Sequence, residues 1–84
     1  MPSIVLIEDD RLISEPLARA LRNLGYSVEA ESSGARGLER VLTSNPDLVI
    51  LDIMLPEMDG WDVCKAIRQT SIVPILMLTA LNEE

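Results

Sequence analysis

The chain has 84 residues, a net charge of −7 and no histidine. With 48% hydrophobic and 25% charged residues, its composition is that of one small globular domain and not of a disordered segment. The acidity disfavours contact with a phosphate backbone, the lack of histidine excludes His-ligated zinc and histidine acid–base catalysis within this chain, and a single cysteine excludes an intrachain disulfide.

Aromatic residues make up only 2%, so the core must be built from Leu, Ile, Val, Met and Ala. Such a core suits a parallel sheet covered by helices. No basic segment leads into an apolar stretch at the start, and no apolar run approaches the ~18 residues of a membrane span. A soluble, cytoplasmic domain with no membrane contact is expected.

Ile4-Val5-Leu6-Ile7 is a continuous apolar run that ends abruptly in Glu8-Asp9-Asp10. A run without alternation fits a strand buried on both faces. Ile13, Leu17, Leu21 and Leu24 then recur at helical spacing, and Gly25 closes that helix. Pro16 implies either a kink or a regular helix that begins near Ser14 as N-cap. Tyr26 to Ala30 alternates, as a strand near a sheet edge does. Ser32-Ser33-Gly34 is a turn. Ala35, Leu38, Val41 and Leu42 give a second amphipathic helix, ended by Asn45-Pro46. Leu48-Val49-Ile50-Leu51 is a second buried strand that ends in an acid, Asp52. Leu55 to Gly60 is a loop, with Asp59-Gly60 as the turn into a third helix carrying Trp61, Cys64 and Ile67. Pro74 to Leu78 is a fourth strand, and Thr79 stands at its end.

The order βαβαβαβ demands a parallel α/β sheet with right-handed crossovers. The first helix then lies on one face and the second and third on the other. Ligands bind such sheets at the carboxyl ends of the strands. There the first strand delivers Glu8 and Asp9, and the third delivers Asp52. If those two strands are neighbours, the three acids converge, and acids brought so close repel and raise one another's pKa. A divalent cation relieves this, and carboxylate and water oxygens are what Mg²⁺ prefers. The same geometry permits nucleophilic chemistry, in which a carboxylate beside the metal attacks a phosphoryl group. Asp52, alone at its strand end, is the better nucleophile, whereas the paired Glu8 and Asp9 suit metal binding. The Thr79 hydroxyl is placed to reach a phosphoryl oxygen.

The segments Val5 to Asp10, Asp47 to Pro56, Met58-Asp59-Gly60 and Pro74 to Ala80 resemble, in that order, the motifs of two-component receiver domains. The resemblance covers essentially the whole chain and implies a flavodoxin-like, three-layer fold with strand order 2-1-3-4-5. It identifies Asp52 as the phosphoacceptor and Asp9 as the acid that ligates Mg²⁺, with Glu8 acting beside it through water. The Met54 carbonyl matches the third protein ligand, Thr79 the switch hydroxyl, and Ala80 the small residue that gives it room. A histidine kinase is the implied phosphodonor. The sequence is most like receivers joined to winged-helix DNA-binding domains, although nothing in this chain itself suits nucleic acid. Residues 1–84 correspond to the N-terminal two-thirds of one receiver domain. The family's fifth strand with its lysine, and its fifth helix, have no counterpart in this sequence. Impaired phosphorylation of the 84-residue chain and self-association through its fourth strand are therefore expected.

Other readings compete. A haloacid-dehalogenase-like phosphatase also uses a strand-end Asp with Mg²⁺, but it wants a second Asp two residues later, where this chain has Met54. A fragment that only associates with a partner, without chemistry, is the other alternative. Asp9 and Asp10 would serve equally as helix caps. Cys64 reads as a core residue, and Lys65 and Arg68 as a solvated helix face.

Overall fold

The computed structural model describes residues 1–78. Seven elements follow in order: β1 (Ser3–Ile7), α1 (Arg11–Asn23), β2 (Ser27–Glu31), α2 (Gly34–Ser44), β3 (Leu48–Asp52), α3 (Gly60–Arg68) and β4 (Ile75–Leu78). All pairings are parallel, and the strand order is β2-β1-β3-β4. The expected α/β topology is therefore present.

The apolar runs account for the middle of the sheet. Val5, Leu6, Ile7, Val49 and Leu51 are all buried, because helices cover both faces of β1 and β3. On one face α2 and α3 contribute Val41, Val63 and Ile67 to a core with Val5, Ile7, Val49 and Leu51. On the other, α1 contributes Ala18 to a smaller core with Ile4, Leu6, Val28 and Ile50. At the sheet margin β2 buries only Val28, while Ala30, the next residue on the same side of the alternating pattern, stays exposed.

Each helix start has a specific cause. The Asp10 side chain accepts from the Leu12 N–H at 2.9 Å and begins α1. Ser33 caps α2 through the Arg36 N–H, and Asp59 caps α3 through the Trp61 N–H. At the far ends, Gly25 follows α1 with φ 101°, and Asn45 closes α2 in the left-handed region with φ 49°.

Two sequence readings need correction. The helix does not begin at Ser14: it starts at Arg11, and Pro16 lies inside it. Pro16 has no N–H to give the Leu12 carbonyl, a loss that is cheap here because Leu12 is 87% exposed. The buried face of α1 also differs from the predicted stripe. Ser14 and Ala18 are buried, Leu17 and Leu21 are half-buried, and Ile13 and Leu24 are exposed. Small residues let the helix approach the sheet, and a count of large apolar positions does not register them. For the same reason α2 turns Gly34, Gly37 and Val41 inward while Leu42 faces solvent.

Candidate functional site: an acidic centre at the carboxyl edge

At the carboxyl edge of the sheet, β1 and β3 are neighbours, with Ile7 opposite Leu51. β2 lies on one side of β1 and β3 on the other, so the strand order reverses at β1, the place where sheets of this kind leave room for a ligand. Glu8 and Asp9 follow β1, and Asp52 is the last residue of β3. One carboxylate oxygen from each of Glu8, Asp9 and Asp52 lies within 4.8 Å of the others.

The three acids are not equivalent. Glu8 is only 4% exposed, Asp52 is half-buried and Asp9 is exposed. Glu8 continues the β1 ladder, its N–H donating to the Glu31 carbonyl at 3.0 Å, and its carboxylate accepts the Asp10 N–H at 3.0 Å. Asp10 is used as the α1 cap, which leaves Asp9 free of capping, with an oxygen in the acidic cluster. The cap and the site thus fall on adjacent residues with separate tasks.

Burial pushes the Glu8 carboxyl up from 4.5 to about 7. The Asp10 N–H opposes this, while a hydrogen bond shared with Asp52 and the charges of Asp52 and Asp9 add to it. Among the described residues no basic side chain forms an ion pair with these three acids. By contrast, the nearby Glu31 has Arg40 at 2.8 Å. An all-oxygen, like-charged donor set with a buried carboxylate fits a hard divalent cation such as Mg²⁺. Zinc would prefer the nitrogen and sulfur ligands that are missing here.

Of the other residues singled out in the sequence, Met54 is the second residue of the loop after β3. Its N–H donates to Asp52 Oδ1 at 3.2 Å, which ties its backbone to that carboxylate, and the residue is 65% exposed. Leu78, the last described residue, lies opposite Asp52 in the β3–β4 register. Thr79 and Ala80 lie outside the described residues. Trp61 is 52% exposed at the start of α3, and Cys64 packs half-buried against the larger core. Sequence reasoning missed the importance of Gly60 as a contact. It read as a turn residue, whereas its N–H donates to the Ile53 carbonyl at 2.8 Å and its Cα lies against the Asp52 backbone.

A doubly wound parallel sheet with acids gathered at its topological switch point puts a like-charged carboxylate cluster where sheets of this kind take their ligands. The comparisons with known proteins make the class specific. The family model for the response regulator receiver domain matches residues 4–84, and the chain belongs to that family. It is 45% identical over 84 residues to the transcriptional regulatory protein AfsQ1 of Streptomyces coelicolor, covering 100% of this chain and 37% of that protein. It is 44% identical over 82 residues to the alkaline phosphatase synthesis transcriptional regulatory protein PhoP of Bacillus subtilis, covering 96% of this chain and 34% of that one. The chain thus spans about a third of the length of these relatives.

Solved receiver structures agree. The BeF3-activated N-terminal receiver domain of Klebsiella pneumoniae RstA superposes with a TM-score of 0.89 at 38% identity, over 98% of this chain and 70% of that one. A response regulator from Chloroflexus aurantiacus gives 0.90 at 37% identity, over 99% and 71%. The flavodoxin-like fold is therefore shown. Among the described residues no helix is long and apolar enough to cross a membrane.

Proposed function

We propose that this chain is the phosphoacceptor module of a two-component system, with Asp52 as the residue that receives the phosphoryl group. The observation that carries the reading is the convergence of Glu8, Asp9 and Asp52 within 4.8 Å at the switch point of a receiver fold. In the proposed step an Asp52 carboxylate oxygen forms a bond to phosphorus. The bond from phosphorus to the donor breaks, and the imidazole of a kinase histidine, or acetate from acetyl phosphate, departs with the electron pair. Bound Mg²⁺ would supply charge neutralisation for the phosphoryl oxygens, held by Asp9, Asp52 and the Met54 carbonyl, with Glu8 beside them.

The chain's own residues do the remaining work. The Met54 N–H holds one Asp52 oxygen, leaving the other to attack. Glu8, buried beside Asp52, can release its proton when cationic charge arrives, which keeps the centre from accumulating charge. Thr79 is proposed as the hydroxyl that moves toward the phosphoryl group and so shifts a two-state output surface. The protein acts in the cytoplasm, its phosphodonor is a histidine kinase, and its output, by analogy with the named relatives, is transcription. The test is Mg²⁺-dependent labelling from acetyl phosphate, expected in the protein expressed from its full coding sequence, weak in the 84-residue chain, and absent from Asp52→Asn. Labelling that is independent of Mg²⁺ would count against the reading.

Self-association of the 84-residue chain is proposed as well. Among the described residues β4 pairs only with β3, and its Leu76 is 53% exposed. An apolar strand margin without lysine or a bulge is a pairing surface, and a two-fold dimer would close it. Sedimentation over a range of concentrations is expected to show a dimer that Leu76→Glu dissociates. A concentration-independent monomer in the native sequence would refute the proposal.

A further inference from the structure

The loop that leaves β3 is closed at its neck by α3. Residues 53–59 run out from the sheet and return to Gly60, whose N–H donates to the Ile53 carbonyl at 2.8 Å. The other side of Ile53 is tied to β4, its N–H donating to the Leu78 carbonyl at 3.1 Å. At this crossing the backbones approach so closely that no side chain fits between them. A Cβ on Gly60 would fall inside contact distance of the Asp52 carbonyl oxygen and 2.6 Å from the Ile53 Cα. Both of those atoms are backbone, so no side-chain rotation relieves the clash. Gly60 is fully within the fold, and the one glycine with a left-handed backbone is Gly25. The requirement at position 60 is thus one of space and not of φ.

We infer that Gly60 is a positioning residue of the acidic centre. Its bare Cα lets α3 rest on the Asp52–Ile53 peptide, and that contact fixes where the Asp52 carboxylate and the Met54 backbone stand for a divalent cation. The chain of contacts is short. Asp59 caps α3 through the Trp61 N–H at 2.8 Å, α3 is anchored in the core by Val63 and Ile67, and Gly60 passes that rigidity to the peptide bearing the site. Groups that hold metal ligands from behind change affinity without touching the metal. The inference rests on the Mg²⁺ reading above, and it has a consequence that does not need the metal.

The test uses the 84-residue chain with Gly60→Ala, and with Val41→Ala as a control that loosens the same core away from the loop. Mg²⁺ alone is titrated while the Ile53 and Met54 amide resonances are followed, and thermal midpoints are recorded for each variant. Gly60→Ala is expected to weaken Mg²⁺ binding by about tenfold or more and to shift the Met54 amide before any metal is added. Val41→Ala is expected to lower the midpoint and leave the affinity unchanged. Native affinity in a folded Gly60→Ala chain would overturn the inference. If Gly60→Ala leaves no folded population, Asp59→Ala takes its place, since it frees the same helix start without adding an atom. A several-fold loss of affinity is then expected, and an unchanged affinity overturns the inference. Should the native chain show no response to Mg²⁺, the metal reading fails, and Gly60 is judged on the metal-free Met54 amide, where an unshifted resonance overturns its role.

Discussion

Asp52→Asn is expected to raise the thermal midpoint of the metal-free chain at pH 8 and to remove most of its stabilisation by Mg²⁺. In the native chain one carboxylate oxygen from each of Asp52, Glu8 and Asp9 lies within 4.8 Å of the other two. Two like charges so placed repel by roughly 1–3 kcal/mol at the effective dielectric of a partly exposed site. The amide is close in shape, carries no charge and can donate to Glu8. Relief of about 1 kcal/mol corresponds to about 4–8 °C for a domain of this size. The same change takes a negative oxygen from the cation site. A more stable but metal-indifferent variant is what a centre strained for function gives. Differential scanning calorimetry with and without Mg²⁺ reads both effects together. A lower midpoint in the metal-free variant would show that Asp52 is a net stabiliser and that the repulsion has been misjudged.

The metal-free chain is expected to lose stability as the pH rises through neutrality. Glu8 has its folded-state pKa raised by burial from 4.5 to about 7. Below 4.5 both folded and unfolded chains hold this proton, and above about 7 neither does, so the difference arises between those values. Within that window the folded chain binds more protons, and stability falls as pH rises. Above it the full cost of a buried charge beside Asp52 persists. Saturating Mg²⁺ is expected to abolish or reverse this slope, because a cation favours the ionised carboxylate and its binding expels the proton. Conversely, Mg²⁺ affinity is expected to decline as the pH falls below about 7. The chain has no histidine to titrate in the same range, so the assignment is clean, and Glu8→Gln should flatten the metal-free profile. Midpoints measured from about pH 5 to pH 8 decide the matter. A metal-free midpoint that climbs with pH would contradict it.

The strands were legible in the sequence because β1 and β3 are buried on both faces and read as unbroken apolar runs ending in acids. The convergence of Glu8, Asp9 and Asp52 followed from that pattern together with a strand order taken from the family resemblance. The helices were less legible. Ser14 and Ala18 form the buried line of α1, and Gly34 and Gly37 that of α2, since close approach to the sheet selects small side chains and not large ones. The division of labour among the acids was hidden too. Three consecutive acids follow β1, but only the fold makes Glu8 buried, Asp9 open and Asp10 a cap. Gly60 shows the limit of local reading. A glycine after Asp59 suggests a turn, and its contact with Asp52 depends on how α3 meets β3 in space.

The central claim is that Asp52 carries the phosphoryl group, and locating that group tests it most directly. The protein expressed from its full coding sequence is incubated with acetyl phosphate and Mg²⁺, quenched in the cold, and mapped by mass spectrometry of its peptides. One acid-stable, alkali-labile phosphoryl group on Asp52 is predicted, not formed when Mg²⁺ is chelated beforehand or in Asp52→Asn, and still formed in Asp10→Asn, where only a helix cap has changed. A phosphoryl group found on another residue, or undiminished labelling of Asp52→Asn, would contradict the account.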